Sequence, residues 1–258
     1  MKKTLIITCI LVISATSCLK DLIGINGNGI VEDQRRDAQP FHQIENSTFA
    51  DVIYKKADSV SIMVRAETNI LTHLVTEFSN GILEIRTDPG SASFSDTEQP
   101  VITVTSPDLD NLISSGSGGI IADSLTGNSV TIRLAGSGDV AAGVISSNDL
   151  SVTVTGSGDL DIVKALGQNT DLRITGSGDI SIKGNSDNVN MKISGSGDIN
   201  AYDFLILVAI EIISGSGNIH SRVANTLTAT ISGSGNIYLK GNPAITQIIT
   251  GSGRIIRQ

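Results

Sequence analysis

Between Asp171 and Ile182 apolar and polar residues alternate without a break. Leu172, Ile174, Gly176, Gly178, Ile180 and Ile182 fall in one phase, and Arg173, Thr175, Ser177, Asp179 and Ser181 in the other. A period of two held this long belongs to extended chain, whose successive side chains point to opposite faces. The spacing of three and four that a helix needs is absent. The pattern recurs around eight Gly-Ser-Gly triplets, which begin at Gly116, Gly136, Gly156, Gly176, Gly195, Gly215, Gly233 and Gly251. Their starts lie 20, 20, 20, 19, 20, 18 and 18 residues apart. One variable residue and then an apolar one follow each triplet: Ile120, Val140, Leu160, Ile180, Ile199, Ile219, Ile237 and Ile255. Two positions before it stands another apolar residue, from Leu134 to Ile249, with Ser114 the exception. A fixed period near 20 with apolar positions locked in phase is the mark of a solenoid.

A strand, a turn, a second strand and a glycine corner use up about 20 residues, so one repeat makes one coil with like strands stacked in parallel about 4.8 Å apart. Seven steps between eight triplets then give roughly 34 Å of stack. Both glycines of the triplet share the inward phase, which predicts a bend or a close approach to another backbone. An antiparallel meander would place tight turns every 8 to 12 residues, and a calcium-binding roll would repeat every nine; neither fits as well. The expected fold is all-β, a single-stranded parallel β-helix, right-handed by the sterics that fix crossover handedness.

Residues 41–115 read as degenerate coils without the triplet. Thr48-Phe-Ala-Asp-Val-Ile53 takes the place of Gly-Ser-Gly-Asp-Ile, and Ser59–Val64, Gly81–Arg86 and Val101–Thr105 alternate as strands. Asn69–Val75 suggests one or two helical turns capped by Asn69. Asp88–Pro100, with its prolines and small polar residues, reads as a loop. Later, Phe204–Ile210 is apolar in both phases, and Glu211 and Gln247 stand where Ile132, Val152 and Leu172 stand earlier. The last coils are therefore expected to pack differently or to open towards a partner. Arg254 and Arg257 put charge on the final edge, which discourages end-to-end pairing.

Composition changes the picture chiefly at the N-terminus. Met1-Lys-Lys3 and the apolar run Thr4–Ser14 have the form of an export signal. Ala15-Thr-Ser-Cys18 then looks like a bacterial lipobox, with Ala15 where leucine is commonest. Cys18 would be lipidated and become the new N-terminus; the alternative is a plain secretory leader with an incidental cysteine. Cys9 lies within the leader, so the mature chain has no disulfide framework. Loss of residues 1–17 takes Lys2 and Lys3 and moves the formal charge from −8 to −10. Such an acidic chain gives no reason to expect nucleic acid as a partner. The division expected is a signal peptide over 1–17, a lipidated, Gly-rich tether over 18–40 and a β-helix over 41–258, with triplet coils from 116.

Gly24-Ile-Asn-Gly-Asn-Gly29 near that cysteine, then Phe41–Ile44, Ala50-Asp-Val-Ile53 and the Gly-Ser-Gly-Asp ladder, resemble the head GIN domain family of auto-transporter adhesins. The resemblance covers nearly the whole mature chain. It implies a right-handed β-helix and a lipoprotein of the cell envelope, of the outer membrane in Bacteroides-type bacteria.

The outward residue after each triplet forms a column: Asp139, Asp159, Asp179 and Asp198, then Asn218 and Asn236. One reading is a carboxylate groove that holds a cation or ligand, as in β-helix enzymes that cut acidic polysaccharides. The other is a solvated ladder beside a glycine corner. The repeat by itself accounts for the phase of the Asp residues, no basic residue joins them at a distinguishing position, and Tyr54, Tyr202 and Tyr238 offer little for sugar stacking. His42, His73 and His220 lack metal-ligand spacing, and no cofactor motif appears. The expected function is a membrane-anchored binding, adhesion or structural module with a glycan or protein ligand; a polysaccharide-degrading enzyme is the alternative.

Overall fold

The computed structural model describes residues 24–89 and 93–258. They form a parallel β-solenoid. The sheet that follows the triplets begins with Val31–Arg36, Ser61–Glu67, Val101–Ser106 and Asp51–Lys56, then takes in Ile120–Thr126 and Val140–Ser146. It continues through the leading halves of Leu160–Ile174, Ile180–Ile193, Ile199–Ile213 and Ile219–Ile231 to Ile237–Lys240 and Ile255–Arg257. Eleven spacings of about 4.8 Å make this sheet roughly 53 Å long. The sheet that precedes the triplets runs from Leu74–Ser79 through Ile82–Thr87, Gln43–Asn46, Asn111–Ser114, Ser129–Leu134 and Asp149–Val154. The trailing halves of the four long strands and then Ala244–Ile249 complete it. In the coil that begins at Val140, the buried residues are Val140, Ala142, Ile145, Ser147, Leu150, Val152 and Val154. The period of two slips by one residue after Ala142 and again after Ser147, where the chain turns from one side to the next.

Close approach explains the triplets. A Cβ on Gly136 would lie 1.9 Å from the carbonyl oxygen of Gly116, and one on Gly178 would lie 2.0 Å from that of Gly158. Each triplet rests on the backbone of the triplet one coil earlier, and no side chain fits between. The serine in the middle points to solvent. At the first coil Thr48-Phe49-Ala50 lies beneath Gly116 and Gly118, as the alternation predicted. Asn46 holds this substitute corner: its Oδ1 accepts from the Thr48 N–H and hydroxyl, and its amide donates to the Ala50 carbonyl.

The N-terminal part is less regular than a run of degenerate coils. Strands Gln43–Asn46 and Asp51–Lys56 lie inside the stack, and residues 61–106 close its end through antiparallel pairings. Val31–Arg36, expected in the tether, is the outermost strand and pairs with Ser61–Glu67. The helical turn is Thr68–Leu71 with Glu67 at its cap and no side-chain capping bond. Asn69 does not cap it; its amide instead donates to the carbonyl of Asn26. Within the expected 88–100 loop, Phe94–Ser95 pairs with Ile25–Asn26.

At the other end, Phe204, Ile206 and Ala209 are buried, while Leu205, Leu207, Val208 and Ile210 stay exposed. Glu211 enters the core between Met191 and Ala229 of the adjacent coils. It is fully buried. Neither of its oxygens nor the nearby Ser221 hydroxyl completes a hydrogen bond. Loss of water outweighs the nearby Ser221 hydroxyl, which acts in the opposite direction, and pushes the carboxyl up to about 7. In the last coil Gln247 is exposed and Ile249 is 38% exposed.

Candidate functional site

The Asp column forms as a continuous ladder of side chain to backbone hydrogen bonds. Asp139 Oδ1 accepts the N–H of Asp159 at 2.9 Å, Asp159 that of Asp179 at 2.9 Å, and Asp179 that of Asp198 at 2.7 Å. Asp198 accepts the N–H of Asn218, Asn218 that of Asn236, and Asn236 that of Arg254. At the first triplet Asp51 likewise accepts the N–H of Gly119, which has no side chain to continue the ladder to Asp139. At this corner the strand ladder has just ended, so each N–H needs an acceptor from the coil before. A carboxylate or an amide oxygen serves equally. Asp159, Asp179 and Asp198 also border an open depression of about 260 Å³. Among the described residues, no group of three or more His, Cys, Asp or Glu is arranged to hold a metal ion.

A second cluster lies further along the same sheet, on the last coils. His220 and Tyr238 pair across adjacent strands with rings stacked at 4.7 Å and 7°. Tyr202 meets His220 edge-on at 5.1 Å. The register of its strand slips between Ala201 and Leu205, and Tyr202 sits within that slip. The Lys240 ammonium lies 4.1 Å from the centre of the Tyr202 ring. Arg222 stands beside Lys240 on the neighbouring strand, exposed like it. Scattered in the sequence reading, two of the tyrosines and one histidine thus come together; Tyr54 is buried and donates to the Ser106 carbonyl. His220 and Tyr238 are 18 apart, the step between their triplets, whereas Tyr202 stands two residues past Asn200, the register partner of His220.

The sheet preceding the triplets carries an amide ladder that sequence reading did not single out. Asn169 donates to Asp149, Asn188 to Asn169, and Asn190 to Asp171. These residues line a groove of about 390 Å³ that ends at Val208 and Ile210. The other histidines lie apart: His42 is 3.3 Å from Asp110, and His73 packs edge-on to Phe94. Cys18 and the leader lie outside the described residues. Among those described, no helix is long and apolar enough to cross a membrane.

A glycine-cornered parallel β-solenoid, closed at one end and bearing ladders on its outer faces, defines the structural class. The chain belongs to the family described as "Putative auto-transporter adhesin, head GIN domain", whose model matches residues 40–243. Among solved structures, a "putative lipid binding protein" from Parabacteroides distasonis is 30% identical with a TM-score of 0.85, covering 92% of this chain and 100% of its own. A "putative adhesin" from Parabacteroides merdae shares the fold at 22% identity and a TM-score of 0.85, over 91% of this chain and 99% of its own. Another "putative adhesin" from P. distasonis does so at 23% identity and 0.83, over 92% and 100%. No curated protein matches the chain.

Proposed function

We propose that the protein is an exported, envelope-bound binding module, held in the outer membrane by acyl chains on Cys18 and acting by adhesion and not by catalysis. Its placement in the stack supports this most directly. The first regular strand after the N-terminal segment, Val31–Arg36, is the outermost strand of the closed end. An anchor at Cys18 would hold that end near the membrane and leave the last coils, about 50 Å away, free to meet a ligand. Family membership supports an adhesive role at the cell surface or envelope. The Asp column supports a non-catalytic reading, because one oxygen of each carboxylate is engaged in holding the corner together.

In fractionated cells, Cys18→Ala should move the protein from the membrane to the soluble exported fraction. Retention in membranes after a salt wash would sink the anchor. Glycan-array binding without release of reducing sugar would support the module, and sugar release would overturn the non-catalytic reading. A lipid-binding reading, drawn from the P. distasonis neighbour's name, would rest on the exposed Leu205, Leu207, Val208 and Ile210.

A further inference from the structure

We infer that the outer face of the last three coils is a binding site for an acidic polysaccharide, built from Tyr202, His220, Tyr238, Arg222 and Lys240. Charge along the chain is the first observation. Residues 212–258 contain four Lys or Arg and no Asp or Glu, whereas residues 1–211 contain 26 acidic and 14 basic residues. From Ile120 on, sequence order is order along the stack, so residues 212–258 give an acidic molecule one cationic end. A polyanion is repelled along most of its length and drawn to that end.

The second observation is what accompanies the cations. Arg222 and Lys240 are exposed neighbours, and three half-buried rings lie beside them. The Lys240 ammonium lies over the Tyr202 ring, which fixes the cation beside an aromatic side chain. Asn200 continues the His220–Tyr238 column, and Asn218 and Asn236 flank it, which brings amides into reach of hydroxyl groups. Fixed cations, ring surface and amides match the carboxylate or sulfate, the apolar ring face and the hydroxyls of an acidic sugar. Repetition of these elements about every 4.8 Å along one line suits a linear chain of such sugars. The slip of the Tyr202 strand places that ring where a regular coil could not. The proposal deepens the binding role above and rests on it for its setting.

The test uses the full chain in mild detergent, titrated with polygalacturonate and with dextran sulfate, which separate carboxylate from sulfate recognition. Neutral dextran, poly-L-glutamate and duplex DNA serve as comparison ligands. Binding to one or both acidic polysaccharides should exceed binding to all three others. Tyr202→Ala with Tyr238→Ala should weaken it at least about tenfold, and so should Arg222→Gln with Lys240→Gln. Tyr202→Phe with Tyr238→Phe should retain it, which separates loss of the rings from loss of the fold. Asp139→Asn, far along the sheet, should bind as the parent does. The proposal falls if neither acidic polysaccharide binds, if the ring and cation variants bind like the parent, or if poly-L-glutamate or DNA binds as well as the sugars. Failure here with Cys18-dependent fractionation intact would sink the sugar site alone. A Cys18→Ala protein that stayed in the membrane would sink the anchor and leave the sugar site standing.

Discussion

Glu211 gives the sharpest energetic prediction. It stands in an inward column that reads Leu172, Met191, Glu211, Ala229, and its carboxyl is fully buried with neither oxygen hydrogen-bonded. Burial raises its pKa from 4.5 to about 7. Between those values the folded protein keeps a proton that the unfolded chain has released, so stability falls as pH rises through this window. Below 4.5 the carboxyl costs nothing by this route, and above about 7 the loss is complete. At about 1.4 kcal/mol per pKa unit, the full loss is about 3 kcal/mol. Glu211→Met extends the Met191 packing and removes the titration. Urea unfolding followed by circular dichroism at pH 4.5 and pH 8 should show the variant gaining about 3 kcal/mol more over the parent at pH 8 than at pH 4.5. An equal gain at both pH values would mean that the carboxyl is not desolvated as described. A gain confined to low pH would reverse the sign and refute the reasoning outright.

Further outcomes follow from the corner. Gly178→Val should cost about 3 kcal/mol or more, at the top of the range for overpacking or beyond it, because its Cβ meets the Gly158 carbonyl. Ser177→Val, pointing to solvent, should change the urea midpoint little, and equal shifts would contradict the stacking. Asp179→Asn should leave stability nearly unchanged, since Asn218 already accepts the same bond by its amide oxygen. Asp179→Ala should cost about 0.5–1.5 kcal/mol by leaving the Asp198 N–H without its acceptor. A thermal melt in which Asn and Ala behave alike would show that the ladder carries no weight. Calcium should raise the melting temperature of neither the parent nor Asp159→Asn with Asp179→Asn, and a rise of several degrees confined to the parent would reassign the column as a cation site.

Most of the triplet coils were legible because one physical constraint repeats. Where a carbonyl lies under each corner, only glycine fits, and the phase of every neighbouring Ile, Val and Leu follows. Thr48–Ile53 could be aligned with the triplets by its apolar phase alone, although its polar support, Asn46, could not. The closed end was harder to read. Alternation in Ser61–Glu67 or Ile82–Thr87 predicts a strand but not whether its partner runs parallel or antiparallel, since both place side chains alternately. The Asp column could be seen in the sequence, but the backbone N–H groups it serves became visible only with the coils stacked. Tyr202, His220 and Tyr238 went unread as a group because Tyr202 leaves the register of the column that the other two share.

The corner also makes the coil an interchangeable unit. From Gly136 on, each triplet rests on the one before it through the same glycine-to-carbonyl contact. A duplicated unit of 20 residues placed between Gly156 and Gly176 would find matching surfaces above and below. It would add about 4.8 Å to the distance between the closed end and the aromatic, cationic end, without altering either. Reach can therefore evolve independently of what is recognised.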